Sequence, residues 1–593
     1  MPPFTKILVA NRGEIAVRVF RTLRELGVGT VAVYSEADRD RLHVSRADEA
    51  YLIGPGPSAE SYLRGERIVD VAARAGAEAI HPGYGFLAEN AEFARLVEGA
   101  GIAWIGPPPD AIEAMGSKIA ARQRMRAAGV PVVPGTTTPA TSVDDVLEAA
   151  AEIGYPIAVK ASAGGGGKGL RVARSPEDVE RAYETARREG EAYFADDAVY
   201  IERYLDDPRH VEVQILADAH GSVIHLGERD CTIQRRHQKL VEETPSPAVD
   251  AGLRVRIGAI AVDAARAVGY RSAGTVEGLL DSDGSYYFLE MNTRVQVEHT
   301  VTEAVTGIDI VREQILVAAG EPLSLAQHEV ELRGHAIECR INAEDVARSF
   351  MPSPGWITAY REPGGIGVRV DSGVRAGDEI SGLYDPLIAK VIVHDVDREH
   401  ARRRMLRALE EFVIEGPATL LAFHRALLET PCFVDGATCR GVVESEELAK
   451  RAQEIVQLSH EKTIVASNAD GRVPSAATRE RVVSVEVDGR RHEIRLRTDE
   501  PAWAELARRH KARSKGLSAE ATGAVTSSMQ GTVLSVAVAE GGPIRAGELI
   551  CVVEAMKMEN EIVSHGDGVI AELRVAAGDQ VSSGQVICVI VSS

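Results

Sequence analysis

The stretch Glu290-Met291-Asn292-Thr293-Arg294-Val295-Gln296-Val297-Glu298-His299 decides how this chain is read. The apolar Tyr287-Phe288-Leu289 before it is strand-like, and a period of two points Glu290 and Asn292 to one face. Arg294, Gln296 and Glu298 continue the same alternation. A further carboxylate, Glu277 in Gly274-Thr275-Val276-Glu277, is expected on a neighbouring strand. Two carboxylates and a carbonyl oxygen so placed suit Mg²⁺, which takes hard oxygen ligands and bridges phosphates. The plainer alternative is a row of solvated strand-end carboxylates.

Upstream, Ile157-Ala158-Val159-Lys160 reads as a strand leading into Gly164-Gly165-Gly166-Gly167-Lys168-Gly169. Glycine lets backbone N–H groups close on phosphates where a side chain would clash. Gly169 stands where a Walker A loop needs Ser or Thr, so the run is a candidate lid over triphosphate, or a flexible linker. Only eleven of the 67 basic residues are lysine, and two of them bracket this run. The basic cluster Arg235-Arg236-His237-Gln238-Lys239 is either an anion site or a set of surface ion pairs. At the start, a strand at 7–10, a helix at 15–26 closed by Gly27 and a strand at 30–34 form a βα unit of the doubly wound type, without G-x-G-x-x-G.

Downstream, alternation on both sides of Asp488-Gly489 predicts a hairpin within a polar, Arg-rich stretch. The last residues repeat themselves at an offset of 37: Gly531, Val538, Gly541, Gly547, Ile550, Cys551 and Val552 meet Gly568, Val575, Gly578, Gly584, Ile587, Cys588 and Val589. Two copies of one short-stranded unit imply a small quasi-twofold β sandwich or flattened barrel, with Lys557 at the turn joining its halves.

The net charge of −21 over 593 residues argues against a nucleic-acid or anionic-membrane binder. No apolar run approaches the roughly 20 residues of a membrane span, and no secretory core opens the chain, so a cytoplasmic protein is expected. The six cysteines show no CxxC pair and no metal-ligand spacing, and are read as reduced thiols.

Residues 1 to about 446 resemble the biotin carboxylase subunit of biotin-dependent carboxylases, an ATP-grasp enzyme. The motifs are Ala10-Asn11-Arg12-Gly13-Glu14-Ile15-Ala16, His81-Pro82-Gly83-Tyr84-Gly85-Phe86-Leu87, the glycine run, Glu228-Arg229-Asp230-Cys231, Gln234 to Lys239, Glu290 to His299, and Glu338-Cys339-Arg340-Ile341-Asn342-Ala343-Glu344. Residues 524–593 resemble the biotinyl carrier domain, with Ala555-Met556-Lys557-Met558 as acceptor. The implied fold is α/β and α+β: an N-terminal α/β domain at 1–115, an ATP-grasp domain at 116–334 with its lid at about 131–204, and a C-terminal mixed domain at 335–446. A linker at 447–523, whose hairpin is a possible docking element for a carboxyltransferase, leads to the all-β carrier.

The resemblance implies ATP at Lys118, Lys160, Gly166, Gly167, Glu202, His210 and His237, and Mg²⁺ or Mn²⁺ at Glu277, Glu290 and Asn292. Lys239, Arg294, Gln296 and Val297 are implied to hold bicarbonate, with Glu298 its general base and Arg340 steadying the biotin enolate. Biotin, attached by a biotin protein ligase, is implied on Lys557. The implied chain is the α subunit of an acyl-CoA carboxylase, a homo-oligomer through its biotin carboxylase domains, served by a separate carboxyltransferase β subunit. A pyruvate or urea carboxylase component and a non-catalytic carrier scaffold stand as alternatives. Two departures are Arg203 where lysine is common and Gly278 where an aromatic is usual, the second expected to loosen packing behind the metal site.

Overall fold

An apolar strand, Lys6–Val9, and a helix, Gly13–Glu25, begin the first layer, and the chain is left free to turn at Gly27, whose φ is +72°. Lys6–Val9 lies inside a five-stranded parallel sheet, ordered Glu49–Gly54, Gly29–Ser35, Lys6–Val9, Ala79–His81, Ala103–Trp104. Ile15, Val19, Phe20 and Leu23 from one helix face pack with Ile7 and Val9 at no more than 2% exposure. The computed structural model describes all residues except 1–2, 137, 162–169, 195–197, 237, 470–477, 488–489, 500–522, 556–557, 583 and 592–593. Gly166, Gly167, His237 and Lys557 therefore lie outside the described residues, as does the Asp488-Gly489 turn.

The chain divides into two units, Met1–Ser381 with Pro386–Ala452, and Gly382–Asp385 with Gln453–Ser593. In the first, a small antiparallel sheet of Leu170–Ala173, Ile157–Ala161 and Val199–Arg203 is covered by the helices Val143–Ile153 and Pro176–Phe194. An eight-stranded sheet follows, ordered Tyr286–Asn292, Ser272–Leu280, Arg209–Ala217, Val223–Arg235, Gln238–Thr244, His335–Asn342, Leu387–Asp395, Val368–Ser372. It runs across the expected division at 334/335, because Gln238–Thr244 pairs with His335–Asn342.

One face of that sheet is apolar. Val211, Val213, Ile215 and Val276 pack on the helix Ala251–Ala267, and the period of two then sends His210, Glu212, Gln214, Thr275 and Glu277 to the other face. The sequence alternation from Glu290 departs from a strand after Asn292: Tyr286–Asn292 ends there, and Glu298 immediately precedes the helix His299–Thr306 without capping it through its side chain.

Cys432 and Cys439 form a disulfide with Cα atoms 5.4 Å apart, which corrects the reading of all six cysteines as reduced. The short helix Pro431–Val434 and a turn at Gly436, φ +68°, fold the two together, a closure that linear spacing does not announce. The other four cysteines are free and buried.

In the second unit, Thr478–Val487 and Arg490–Asp499 pair antiparallel, Val483 opposite Ile494 and Val485 opposite His492. The region expected as linker also contains a helix, Glu446–Ala469, that buries Leu448, Ala452 and Ile455 at helical spacing. The C-terminal domain is two four-stranded sheets. Gly531–Val536, Pro543–Ile544 and Leu549–Ala555 recur as Gly568–Leu573, Gln580–Val581 and Val586–Val591. The repeat reaches its turns: Ser527 Oγ donates to Met529 O and Ser564 Oγ to Gly566 O, each at 2.6 Å. Leu549–Ala555 and Met558–Val563 stay paired up to Ala555 opposite Met558, on either side of Lys557. Among the described residues no helix is long and apolar enough to cross a membrane.

Candidate active site

Six strands of the large sheet bring their polar side chains to one place. Lys239 Nζ donates to Glu212 Oε2 at 2.5 Å, Glu277 Oε1 at 2.9 Å and Glu298 Oε1 at 2.7 Å. Burial alone would pull the ammonium down, but the three carboxylates outweigh it and hold its pKa well above the ordinary value. Burial likewise disfavours the charged form of Glu298, yet Lys239, Arg340 and Arg229 hold it well below the usual carboxylate range. Arg340 reaches Glu298 Oε2 at 3.0 Å and Glu242 Oε1 at 2.6 Å.

Glu277 stands directly opposite Glu290 across antiparallel strands. Its Oε1 accepts from Asn292 at 2.7 Å and Gln296 at 2.5 Å, and its Oε2 lies 2.7 Å from His210 Nε2. Burial would raise the pKa of Glu277, but Lys239 and His210 bring it well below normal; burial would lower that of His210, but Glu277 raises it on balance. Two carboxylates directly opposite each other repel unless a cation lies between them, and their oxygens are the hard donors that Mg²⁺ takes. This donor set fits the metal. Asn292 Oδ1 accepts from Arg294 Nη2 at 2.9 Å, and Glu89 holds Arg294 Nε at 2.9 Å.

A contiguous chain of contacts thus joins Arg340, Glu298, Lys239, Glu277, Gln296, Asn292 and Arg294. At Val297 the carbonyl accepts from the fully buried Lys390 at 2.8 Å, which fixes that peptide. Separately, Lys160 and Arg122 both donate to Glu202, whose pKa they lower against the effect of burial. Lys118 is the first residue of the helix Lys118–Ala127. The basic cluster at 235–239 splits: Arg235 covers the Phe350 ring at 4.2 Å while Lys239, 12% exposed, enters the site.

Arg229 was not singled out as a site residue by the sequence, yet it organises the floor. Its side chain is 0% exposed and its five N–H donors end on Glu212 Oε1 at 2.5 Å, Gln214 at 2.7 Å, Thr302 at 2.9 Å, Thr275 at 3.1 Å and Gln296 at 2.9 Å. A buried guanidinium is tolerated only when so satisfied. Glu212, Glu242 and Lys390 were missed for a related reason: a charged residue in a strand next to apolar ones reads as the solvent face of that strand. Gly278 does not loosen the site. A Cβ there would collide with Tyr286 Cζ, so the tyrosine ring occupies the space, which corrects the expected packing defect.

Residues 3–112 match the family described as "Biotin carboxylase, N-terminal domain" and 338–445 "Biotin carboxylase C-terminal domain". Between them, 117–326 match "Carbamoyl-phosphate synthase L chain, ATP binding domain", and 523–590 match "Biotin-requiring enzyme". The biotin-dependent acyl-coenzyme A carboxylase alpha3 subunit of Mycobacterium leprae (strain TN) is 47% identical over 574 residues, 95% of this chain and 94% of that protein. A pyruvate carboxylase subunit of Methanothermobacter thermautotrophicus is 53% identical over 463 residues, 77% of this chain and 94% of that protein. The biotin carboxylase domain of the Hydrogenobacter thermophilus 2-oxoglutarate carboxylase was solved as a dimer with MgADP, ADP and bicarbonate. It superposes with a TM-score of 0.69 at 49% identity, covering 75% of this chain and 98% of that one. This chain belongs to the biotin carboxylases, ATP-dependent ligases, and carries a biotinyl domain in the same polypeptide.

Proposed function

We propose that this chain is the α subunit of an acyl-CoA carboxylase, acting in the cytoplasm as a dimer or larger assembly of its biotin carboxylase part. It carboxylates biotin held on Lys557 at the expense of ATP and hands the carboxyl group to a separate carboxyltransferase β subunit. One observation carries the reading: the likeness to the Mycobacterium leprae alpha3 subunit runs through the biotinyl domain, over 95% of this chain. A pyruvate carboxylase component is the second reading, favoured by the Methanothermobacter relative, whose match spans 77% of the chain.

In this reading, Lys160, Glu202, His210 and His237, with Lys118 and the glycine run at Gly166 and Gly167, hold the nucleotide. Glu277, Glu290 and Asn292 receive Mg²⁺, and Lys239, Arg294, Gln296 and Val297 hold bicarbonate. Magnesium supplies neutralising charge along the triphosphate, and biotin supplies the ureido nitrogen that accepts the carboxyl group. Glu298 takes the bicarbonate proton as a bicarbonate oxygen attacks the γ-phosphate, whose bond to the β-phosphate oxygen breaks so that ADP leaves. At rest Lys239 and Arg340 hold Glu298 strongly ionised; a bicarbonate that draws on Lys239 relaxes this hold and raises the basicity of Glu298 where the proton is released. Arg340 is placed to stabilise developing negative charge on the acceptor.

The purified chain is expected to cleave ATP in a bicarbonate-dependent reaction stimulated by free biotin; a non-catalytic carrier would show none. Co-purification of the native complex followed by assay with acetyl-, propionyl- and longer acyl-CoA, against pyruvate and urea, decides the acceptor. Carboxylation of pyruvate or urea with all acyl-CoA thioesters inert would refute the acyl-CoA reading.

The paired strands Thr478–Val487 and Arg490–Asp499 are the element we assign to docking the β subunit. A two-stranded hairpin is marginal alone in water and needs a surface to pack on. Just beyond it, Arg508-Arg509-His510-Lys511-Ala512-Arg513-Ser514-Lys515 is a local positive run in an acidic chain, suited to steering toward an acidic partner. Deleting 480–498 should abolish co-purification with the β subunit, and an intact complex after the deletion would refute the docking role.

A further inference from the structure

Behind Arg340 the sheet buries two carboxylates that no role above uses. Glu242 and Glu338 stand directly opposite each other on neighbouring antiparallel strands, both 0% exposed. Arg340 Nε donates to Glu242 Oε1 at 2.6 Å, and Thr300 Oγ1 donates to Glu338 Oε2. Among the described residues neither Glu242 Oε2 nor Glu338 Oε1, both buried, has a hydrogen-bond partner. Two ionised carboxylates opposed in a dry sheet repel strongly, and a single proton relieves the pair by turning one acceptor-only group into a donor.

We propose that Glu242 and Glu338 keep one proton between them and are positioning residues for Arg340, with Glu242 ionised in the active enzyme and Glu338 neutral. The Glu242 carboxylate then holds one arm of the guanidinium while the other reaches Glu298. When Glu242 also becomes neutral, Glu298 is the remaining anionic partner of Arg340. The guanidinium is drawn toward the base and away from the charge that develops on the acceptor.

The groups that face the pair leave this balance near neutrality. They are Lys239 on the strand of Glu242, Arg340 on the next strand, the Cys231 thiol on Val223–Arg235, Glu298 before the helix, and Lys390 on Leu387–Asp395, with the Cys339 thiol close by on the opposite face of the sheet. Burial keeps both thiols neutral. Burial raises Glu242 to about 7 against the pull of Arg340, and raises Glu338 well above the ordinary range against Lys390 and Arg340. A carboxyl group is ionised above its pKa, so the biotin-dependent rate should climb as pH rises through about 7.

The test compares full-length wild type, Glu242→Gln and Glu338→Gln in ATP cleavage dependent on bicarbonate and free biotin, across pH at fixed bicarbonate concentration. Wild type should show the acid limb and Glu242→Gln should lose it. Glu338→Gln removes the opposed carboxyl and should move the limb down by about one pH unit or more. A limb left in place by either substitution overturns the inference, and is the result expected if His210 were its source. The Michaelis constant for ATP reports whether each variant assembles its site. Should neither do so, infrared difference spectra of wild type across neutrality decide: a buried carboxylic C=O band gained on acidification supports the pair, and its absence overturns it. The inference rests on the role proposed for Arg340. Wild-type turnover in Arg340→Ala would remove that role itself, whereas an unmoved limb leaves it standing.

Discussion

Replacing Lys557 by arginine is expected to remove the biotin increment from the intact mass completely and to end carboxylation of the chain's own biotin. Amide formation needs an amine that can shed its proton and attack an activated carboxyl group, which a lysine does and a guanidinium, charged at any working pH, does not. Position matters as much as chemistry. The described strands on either side pair up to Ala555 opposite Met558, so Lys557 falls in the connection between two paired strands. It also falls between the two copies of the 37-residue repeat, flanked by methionines on both sides. Ten other lysines are present, and none has this setting. A retained biotin increment in the Lys557→Arg chain would show that another lysine is the acceptor.

Glu298→Ala and Arg340→Ala should each lower biotin-dependent ATP turnover by on the order of 10² or more, the scale of losing a positioned base or an anion stabiliser. The Michaelis constant for ATP should change little, because the Lys160–Glu202 contact lies on the small sheet and shares no hydrogen bond with either residue. The structure adds a distinction between the two. Removing Glu298 leaves Lys239 with Glu212 and Glu277, so the cation stays compensated. Removing Arg340 leaves Glu242 and Glu298 with one cation fewer in a dry site, and the carboxyl groups become harder to ionise. Because Glu242 acts on turnover only through Arg340, the residual activity of Arg340→Ala should lack the acid limb altogether. Loss of ATP binding with turnover of bound ATP intact would show that the nucleotide and bicarbonate residues have been divided wrongly.

Much of the fold is written in local pattern. The strand at 7–10, the helix ended at Gly27 and the paired strands around Val483 and Val485 come from periodicity and turn residues, which act over a few positions. The carrier is legible for a different reason: repeating a sequence at a fixed offset repeats its strands, and the structure extends the repeat to Ser527 and Ser564. Glu290, Asn292 and Glu277 were legible as neighbours because alternation and strand pairing suffice to bring them together. The helix Glu446–Ala469 was readable from Leu448, Ala452 and Ile455 but was obscured by a polar composition.

The sequence by itself determined which elements form, their apolar faces, the repeat around Lys557 and the residue types available for phosphate, metal and anion chemistry, since all of these depend on neighbours along the chain. Tertiary structure alone decided that Gln238–Thr244 pairs with His335–Asn342, which sets Lys239 and Glu242 beside Arg340 across roughly a hundred residues of chain. It decided that Arg229 and Glu212 are buried and matched donor to acceptor, and that Cys432 meets Cys439. It also decided that the alternation after Asn292 breaks into a helix while still delivering Gln296 and Glu298 to the site. A buried charge is tolerated only where partners from distant strands surround it. Burial and partnership are therefore properties of the packed sheet, and no local spacing encodes them.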